Sequence, residues 1–318
     1  MENPVDIGLA QGLSFGVTVN LTDGAQAPEV VRQARTLGYQ SIWAGDHIAA
    51  HVPINDPLIQ LAYLAALAPE LRYGTSVYLL PLRPPAVVAK LVATIDRLLG
   101  AGKFIFGVGV GGEFIAEYKA CGVPVRERGG RMDEALAVLR RLWNESPVEH
   151  HGRYFDFPSL DLKPKPLSPG GPPIWFGGRA EAALARAARL GQGWIPYVIT
   201  PQRYRQGLER IAQLAADCGR NLEHFGTGLF VFFNLGQSYE QSLEVAAGMI
   251  GGYYATDFRA AARRYCALGR PADVAAKISE FAAAGVREFV LAATAPAADH
   301  ALQLERFARE VMPLMKPG

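Results

Sequence analysis

The stretch Gly74–Phe114, GTSVYLLPLRPPAVVAKLVATIDRLLGAGKFIFGVGVGGEF, decides the fold. It continues a strand over Arg72–Leu80, turns at Pro81, Pro84 and Pro85, and runs on as an amphipathic helix over Pro85–Leu99. Gly100 ends that helix, and a second apolar run, Lys103–Val110, comes next. Proline suits a helix's first turn because its missing N–H would be unpaired there anyway. Glycine suits the position after the last turn because it adopts a left-handed backbone without cost. The unit is therefore strand, crossover helix, parallel strand.

The same unit recurs in both directions. Strands are expected at Leu13–Asn20, Ser41–Gly45, Arg72–Leu80, Lys103–Val110, Pro173–Gly177, Gly193–Pro196, Thr227–Asn234 and Glu288–Ala292. Helical patterns lie between them, and Gly38, Gly100, Gly191 and Gly285 stand as left-handed stops. The turn A-x-x-G-[YV] appears before strands at Ala34–Tyr39 and again at Ala282–Val286. Eight strands in strict alternation with helices predict a (β/α)₈ TIM barrel in one domain spanning residues 1–318; an open doubly wound sheet is the alternative. Insertions are expected after strand four (Glu145–Pro172) and after strand seven (Gly248–Gly269). Both are placed on the face where the strands end, which carries the catalytic loops of such barrels.

Composition narrows the partners. The 318 residues carry 32 Lys and Arg against 30 Asp and Glu, and 50% are hydrophobic. A net charge of +2 without a basic stripe argues against nucleic acid. No apolar run reaches the roughly 18 residues a membrane span needs. The opening MENPVDIGLAQGL places acids where a signal peptide has cations. Cys121, Cys218 and Cys266 are odd in number and far apart, as reduced thiols in a cytoplasm would be.

Candidate chemistry sits at strand ends. Strand two closes on Asp46 and His47, an acid/base pair or a turn cap with a packed imidazole. His51 four residues on gives a partial metal pattern without the HxH pair usual in metal-binding barrels, so no metal is expected. The glycines of GVGVGGEF lack Rossmann and P-loop spacing. They let backbone turn tightly over the mouth, with Glu113 just beyond. Gly177, Gly178 and Arg179 form a strand-to-helix turn suited to an anion, or simply a tight turn with a solvated arginine. His150 and His151 read as a solvated hairpin. Arg263 and Arg264 face anions or water.

Several ordered blocks carry a resemblance: GYQSIWAGDH, the stretch quoted above, CGVPVRERGGRMDEALAVLRRLW, PPIWFGG and GQGWIP. From about Phe15 to Val290 the chain resembles the luciferase-like monooxygenase superfamily, and within it the branch named for coenzyme F420. The resemblance implies a flavin or deazaflavin at the barrel mouth and a homodimer. It implies a non-prolyl cis peptide in strand three, matched by Ser76–Val77. Asp46 and His47 match the catalytic pair, with the histidine on the reactive face of the ring. Gly111, Gly112 and Glu113, and then Gly177, Gly178 and Arg179, match the turns around ring and phosphate. This chain departs from its relatives at Gly45, at Leu98–Lys103 (LLGAGK) and at Arg179–Ala180.

The expected activity is F420-dependent hydride transfer to or from a small organic substrate, with His47 exchanging a proton, Asp46 orienting it and Glu113 a second candidate. An FMN-dependent monooxygenase using oxygen, a flavin-binding protein without turnover, and a metal-dependent barrel hydrolase are the alternatives. Tyr253, Tyr254 and Phe258 suggest an apolar, aromatic substrate pocket.

Overall fold

A computed structural model describes residues 12–315; residues 1–11, on which the leader reading rests, lie outside them. All eight expected strands form: Ser14–Thr18, Ser41–Ala44, Arg72–Thr75, Phe104–Gly109, Ile174–Phe176, Gly193–Trp194, Gly226–Leu235 and Glu288–Ala293. Each pairs in parallel with its sequence neighbour. Strand eight pairs with strand one, so the sheet closes into the eight-stranded barrel. The open-sheet alternative is thereby set aside. Among the described residues no helix is long and apolar enough to cross a membrane.

Two tryptophans fill the barrel's interior, and glycines on nearby strands make room for them. Trp43 and Trp175 lie with ring centroids 5.8 Å apart, beside Ile105, Ile195 and Val290. A Cβ on Gly74 would stand 2.3 Å from Trp43, and one on Gly226 would stand 2.0 Å from Trp175. Below them Arg72 donates to Glu288 at 2.7 Å and to Ser14 at 2.9 Å, closing the end where the strands begin with a paired charge. Large side chains opposite glycine give the dense interior that proteins require. Gly226→Ala is therefore expected to lower unfolding free energy by about 1–3 kcal/mol, because the tryptophan must leave its rotamer or strand seven must shift. A denaturant midpoint equal to that of the unaltered chain would count against this packing.

The helices form a second layer around the sheet, and their punctuation is largely as expected. Gly38, Gly100 and Gly285 have φ of 78°, 95° and 110°. Gly191 departs: its φ is −85°, and it is glycine because a Cβ would meet Ala187 O and Phe176 Cδ2 at 2.9 Å.

Of the two insertions, the second lies as expected and the first does not. Residues 145–172 come after the helix Arg128–Asn144 rather than after strand four itself. They form a helix-to-strand connection, with an antiparallel hairpin Val148–His151/Asp156–Leu160, packed outside the barrel. Asp96 accepts from Leu167 N and Ser168 N, and Ser168 Oγ accepts from Gly102 N, just before strand four begins. The excursion thus runs toward the end opposite the mouth. In the hairpin His150 meets Glu134 at 3.1 Å and is largely buried, which corrects its reading as solvated; His151 is exposed beside Asp156. The second insertion begins as a continuation of the helix Tyr239–Tyr254. It ends at Ala255, turns into the helix Arg259–Tyr265, and adds an edge strand, Ala267–Gly269, parallel to strand seven. This segment does reach the mouth. Its Arg264 lies over the Tyr265 ring at 5.5 Å.

Candidate active site

Strand three breaks in its middle, and the break shapes the mouth. Tyr73 pairs with Phe104, but Tyr78 pairs with Val108, so strand three carries one residue more than strand four across the gap. This is a β-bulge, a device that re-aims side chains next to active sites. The extra backbone lies at Ser76–Val77, whose peptide bond is cis. Ser76 N donates to Ala44 O at 2.9 Å. Val77 turns toward strands four and five, where glycine backbone receives it. A Cβ on Gly109 would be 2.3 Å from Val77 Cγ2, and one on Gly177 would be 2.8 Å from Val77 Cγ1.

Asp46 and His47 leave the end of strand two in different directions. The Asp46 carboxylate is fully buried and accepts from Leu79 N at 2.8 Å and from both Arg83 terminal nitrogens at 2.6 and 2.8 Å. It ties strand two to the far side of the bulge. The expectation that it orients His47 is corrected: that carboxylate belongs to Glu117. His47 Nδ1 lies 3.3 Å from both Glu117 oxygens, and Glu117 also accepts from Ile48 N at 3.0 Å. The Glu117 side chain is fully buried and that of His47 is 13% exposed. A carboxylate only accepts, so the tautomer that donates from Nδ1 satisfies this contact and leaves Nε2 as an acceptor for a ligand. Glu117 stands on the short helix Ile115–Ala120 beyond the glycine turn, four residues after the Glu113 that the sequence singled out.

Glu113 is exposed at the rim, where the Tyr197 hydroxyl donates to it at 3.0 Å. Burial first, and then the charge of Glu113, push the Tyr197 hydroxyl up to about 12. Val198 beside it is β-branched with φ of 51°, a backbone conformation rare for that residue type. Arg179 reaches back toward Tyr197, with Nη1 3.4 Å from its carbonyl and the guanidinium 5.7 Å from its ring. Gly178 O accepts from Trp194 Nε1 at 2.8 Å. Gly111, Gly112 and Gly178 all take positive φ, so bare backbone lines the turns after strands four and five.

The mouth holds buried polar groups without partners and open space beside the bulge. Two buried polar atoms there, Ser76 Oγ and Arg128 Nε, have no hydrogen-bond partner among the described residues. Arg128 sits under the glycine turn, 3.4 Å from where a Gly112 Cβ would be. Gly45 faces space, since an added Cβ would meet Ser76 O alone, at 3.7 Å. Buried polar groups ordinarily find partners, and each exception asks for a ligand or a water. No such convergence exists for a cation. His51 packs on Phe114, Asp46 is held by Arg83, and among the described residues no group of three His, Cys, Asp or Glu side chains could hold a metal ion. Two hollows of about 360 and 370 Å³ lie at the opposite end, lined mostly by helix-to-strand connections such as Gly102, Pro173 and Gln192.

The family model for luciferase-like monooxygenases matches residues 9–309. The chain belongs to that family. Over 169 residues it is 35% identical to an uncharacterized protein of Mycobacterium tuberculosis, an alignment covering 53% of this chain and 57% of that one. The match thus spans little more than half the length of that relative. Over 315 residues it is 28% identical to the F420-dependent glucose-6-phosphate dehydrogenase of Kineococcus radiotolerans, covering 90% and 91% of the two chains. Among solved structures, an F420-dependent secondary alcohol dehydrogenase in complex with an F420-acetone adduct superimposes with a TM-score of 0.81. Its identity is 19%, over 96% of this chain and 99% of that one. The third strand of this chain carries the bulge with a cis Ser76–Val77 bond that the resemblance implies.

Proposed function

We propose that this protein is an oxidoreductase that uses coenzyme F420 to move a hydride to or from a small organic substrate. One observation carries the reading: His47, its Nδ1 held by the buried Glu117, stands at the mouth with the Ser76–Val77 bulge and a floor of glycine backbone. The full-length similarity to an F420-dependent dehydrogenase supports the choice of cofactor. The bound deazaflavin supplies a carbon that accepts or gives hydride.

The chain's own residues do the rest. Ser76, Val77, Gly111 and Gly112 would support the ring. Gly177, Gly178 and Arg179 would hold the phosphate end, with Arg128 a further donor that sequence motifs alone do not reveal. His47 exchanges a proton at Nε2 with the substrate oxygen, and Glu117 keeps the imidazole in the tautomer that can do so. Glu113 is a second proton carrier at the rim, poised through Tyr197. Asp46 acts on the scaffold, by fixing the bulge to strand two. The same reading includes a homodimer, supported by the charge-free helix Pro57–Leu67, whose Ile59 is 73% exposed. It includes a cytoplasmic setting, supported by three free cysteines.

The test is a titration with F420 and with FMN, read by quenching of tryptophan fluorescence, and then a turnover assay. F420 is expected to bind at least about tenfold tighter than FMN, a difference of about 1.4 kcal/mol. The reverse order would make FMN the cofactor, and binding of neither would remove the reading altogether. Binding without turnover on any alcohol or carbonyl compound would favour the flavin-binding alternative.

A further inference from the structure

Above His47 the wall is aromatic and its fixed charges are negative. Phe114 meets His47 edge to face, with centroids 4.8 Å apart, and Tyr253 stands 6.3 Å from the same imidazole. Tyr254 stacks on Phe114 at 6.5 Å, and Phe258 stacks on Tyr254 at 5.8 Å. All four rings are half-buried. Ile48 and Ile115, the chain neighbours of His47 and Phe114, are 45% and 55% exposed. Three loops contribute to this wall: those after strands two and four, and the insertion after strand seven.

Of the nearby carboxylates, Glu117 lies against His47 and Glu113 stands at the rim beside Tyr197, while Asp46 is paired with Arg83. Their sign can be felt at the Tyr253 hydroxyl. Burial raises its pKa first, and then the charges of Tyr254, Glu113, Glu117 and Asp46 all push it the same way. The cations of the region are committed elsewhere. Arg83 is spent on Asp46, and in the function proposed above Arg179 and Arg128 hold the cofactor's phosphate end. An anionic substrate would therefore lose its hydration beside like charge, without a cation to replace it. A neutral apolar body would lose only poorly hydrated surface, against rings that welcome it edge to face or offset.

Resting on the function proposed above, we infer that the substrate is an uncharged molecule with a flat or alicyclic apolar body and one carbonyl or hydroxyl group. That oxygen is the hydrogen-bonding partner of His47 Nε2, and the body lies along Phe114, Tyr253 and Tyr254. Phosphorylated sugars and carboxylates are excluded by the same wall. The full-length relative named for glucose 6-phosphate thus shares the scaffold with this protein and differs in what the mouth admits.

Three ligands of one shape isolate the effect of charge: 2-tetralone, tetralin-2-carboxylate and protonated 2-aminotetralin. Glucose 6-phosphate is the fourth probe. Each is titrated calorimetrically into the full chain, alone and after loading with whichever cofactor binds. The tetralone is expected to bind at least about tenfold tighter than the carboxylate and than glucose 6-phosphate. Tyr253→Ala is expected to weaken the tetralone, and Glu113→Gln to narrow the gap between tetralone and carboxylate. Equal or tighter binding of either anion overturns the inference, and so does tightest binding of the ammonium. Failure of the tetralone to bind a chain that has taken up its cofactor overturns it too. If neither F420 nor FMN binds, the proposed function falls on that result alone, while the ranking of the four probes still decides this inference.

Discussion

His47→Asn is expected to lower kcat by about 10²–10⁴-fold, the usual contribution of a positioned proton carrier, while cofactor affinity changes little. The imidazole stands beside the substrate wall, whereas the floor under the ring is backbone from other strands, so removing it leaves the cradle in place. Glu117→Gln is the companion variant. The amide oxygen it introduces would still accept from Ile48 N, but the amide could also turn to donate to Nδ1, and the imidazole would no longer be held in one tautomer. Its expected loss is smaller than that of His47→Asn, falls on kcat more than on KM, and displaces the pH profile of kcat. A Glu117→Gln enzyme with an unaltered pH profile would reduce Glu117 to a packing role. Unimpaired turnover by His47→Asn would remove the histidine from the chemistry.

The second large effect is structural. Arg83→Met is expected to lower unfolding free energy by about 3–5 kcal/mol, because it strands the Asp46 carboxylate in the interior. The pair is bidentate, the Asp46 side chain is fully buried and the Arg83 side chain is 15% exposed. Arg83 also lies over the Tyr78 ring at 4.3 Å and within 3.6 Å of Asp56, so three partners lose it together. Burial opposes the charge on Arg83, but the hydrogen bonds and charge of Asp46 prevail and hold its pKa above the ordinary value. The double variant Asp46→Leu/Arg83→Met is expected to recover part of the loss, since it removes the buried charge along with its partner. A single variant within about 0.5 kcal/mol of the unaltered chain, the usual range of surface changes, would mean that water reaches Asp46. Because Asp46 also accepts from Leu79 N, the bulge should loosen in the single variant, and cofactor affinity should fall along with stability.

Much of this molecule is legible in its residues because the signals are local. Apolar runs bounded by Pro85, Gly100 and Gly38 state where each element starts and stops. The place of the first insertion is implicit in residue order, although its glycines, prolines and aromatics resemble those of a mouth loop. It comes after the helical pattern over Gly130–Asn144, and a segment leaving the end of a barrel helix returns to the end where strands begin. Glu117 leaves a fainter trace, a second acid four residues past Glu113 on a helix too short to show a periodic pattern. Arg83, 37 residues from Asp46 in sequence, leaves none.

By itself, then, the order of residues determined eight strands, their parallel sense, the glycine turns and a histidine at a strand end, all of which stem from backbone propensity and periodicity over a few residues. Only the closed barrel decided which carboxylate meets that histidine, which arginine holds Asp46, and which faces of four aromatic rings converge above the mouth. Those pairings depend on side chains from separate strands arriving at one point, and that distance does not exist until the sheet has curled round to meet itself.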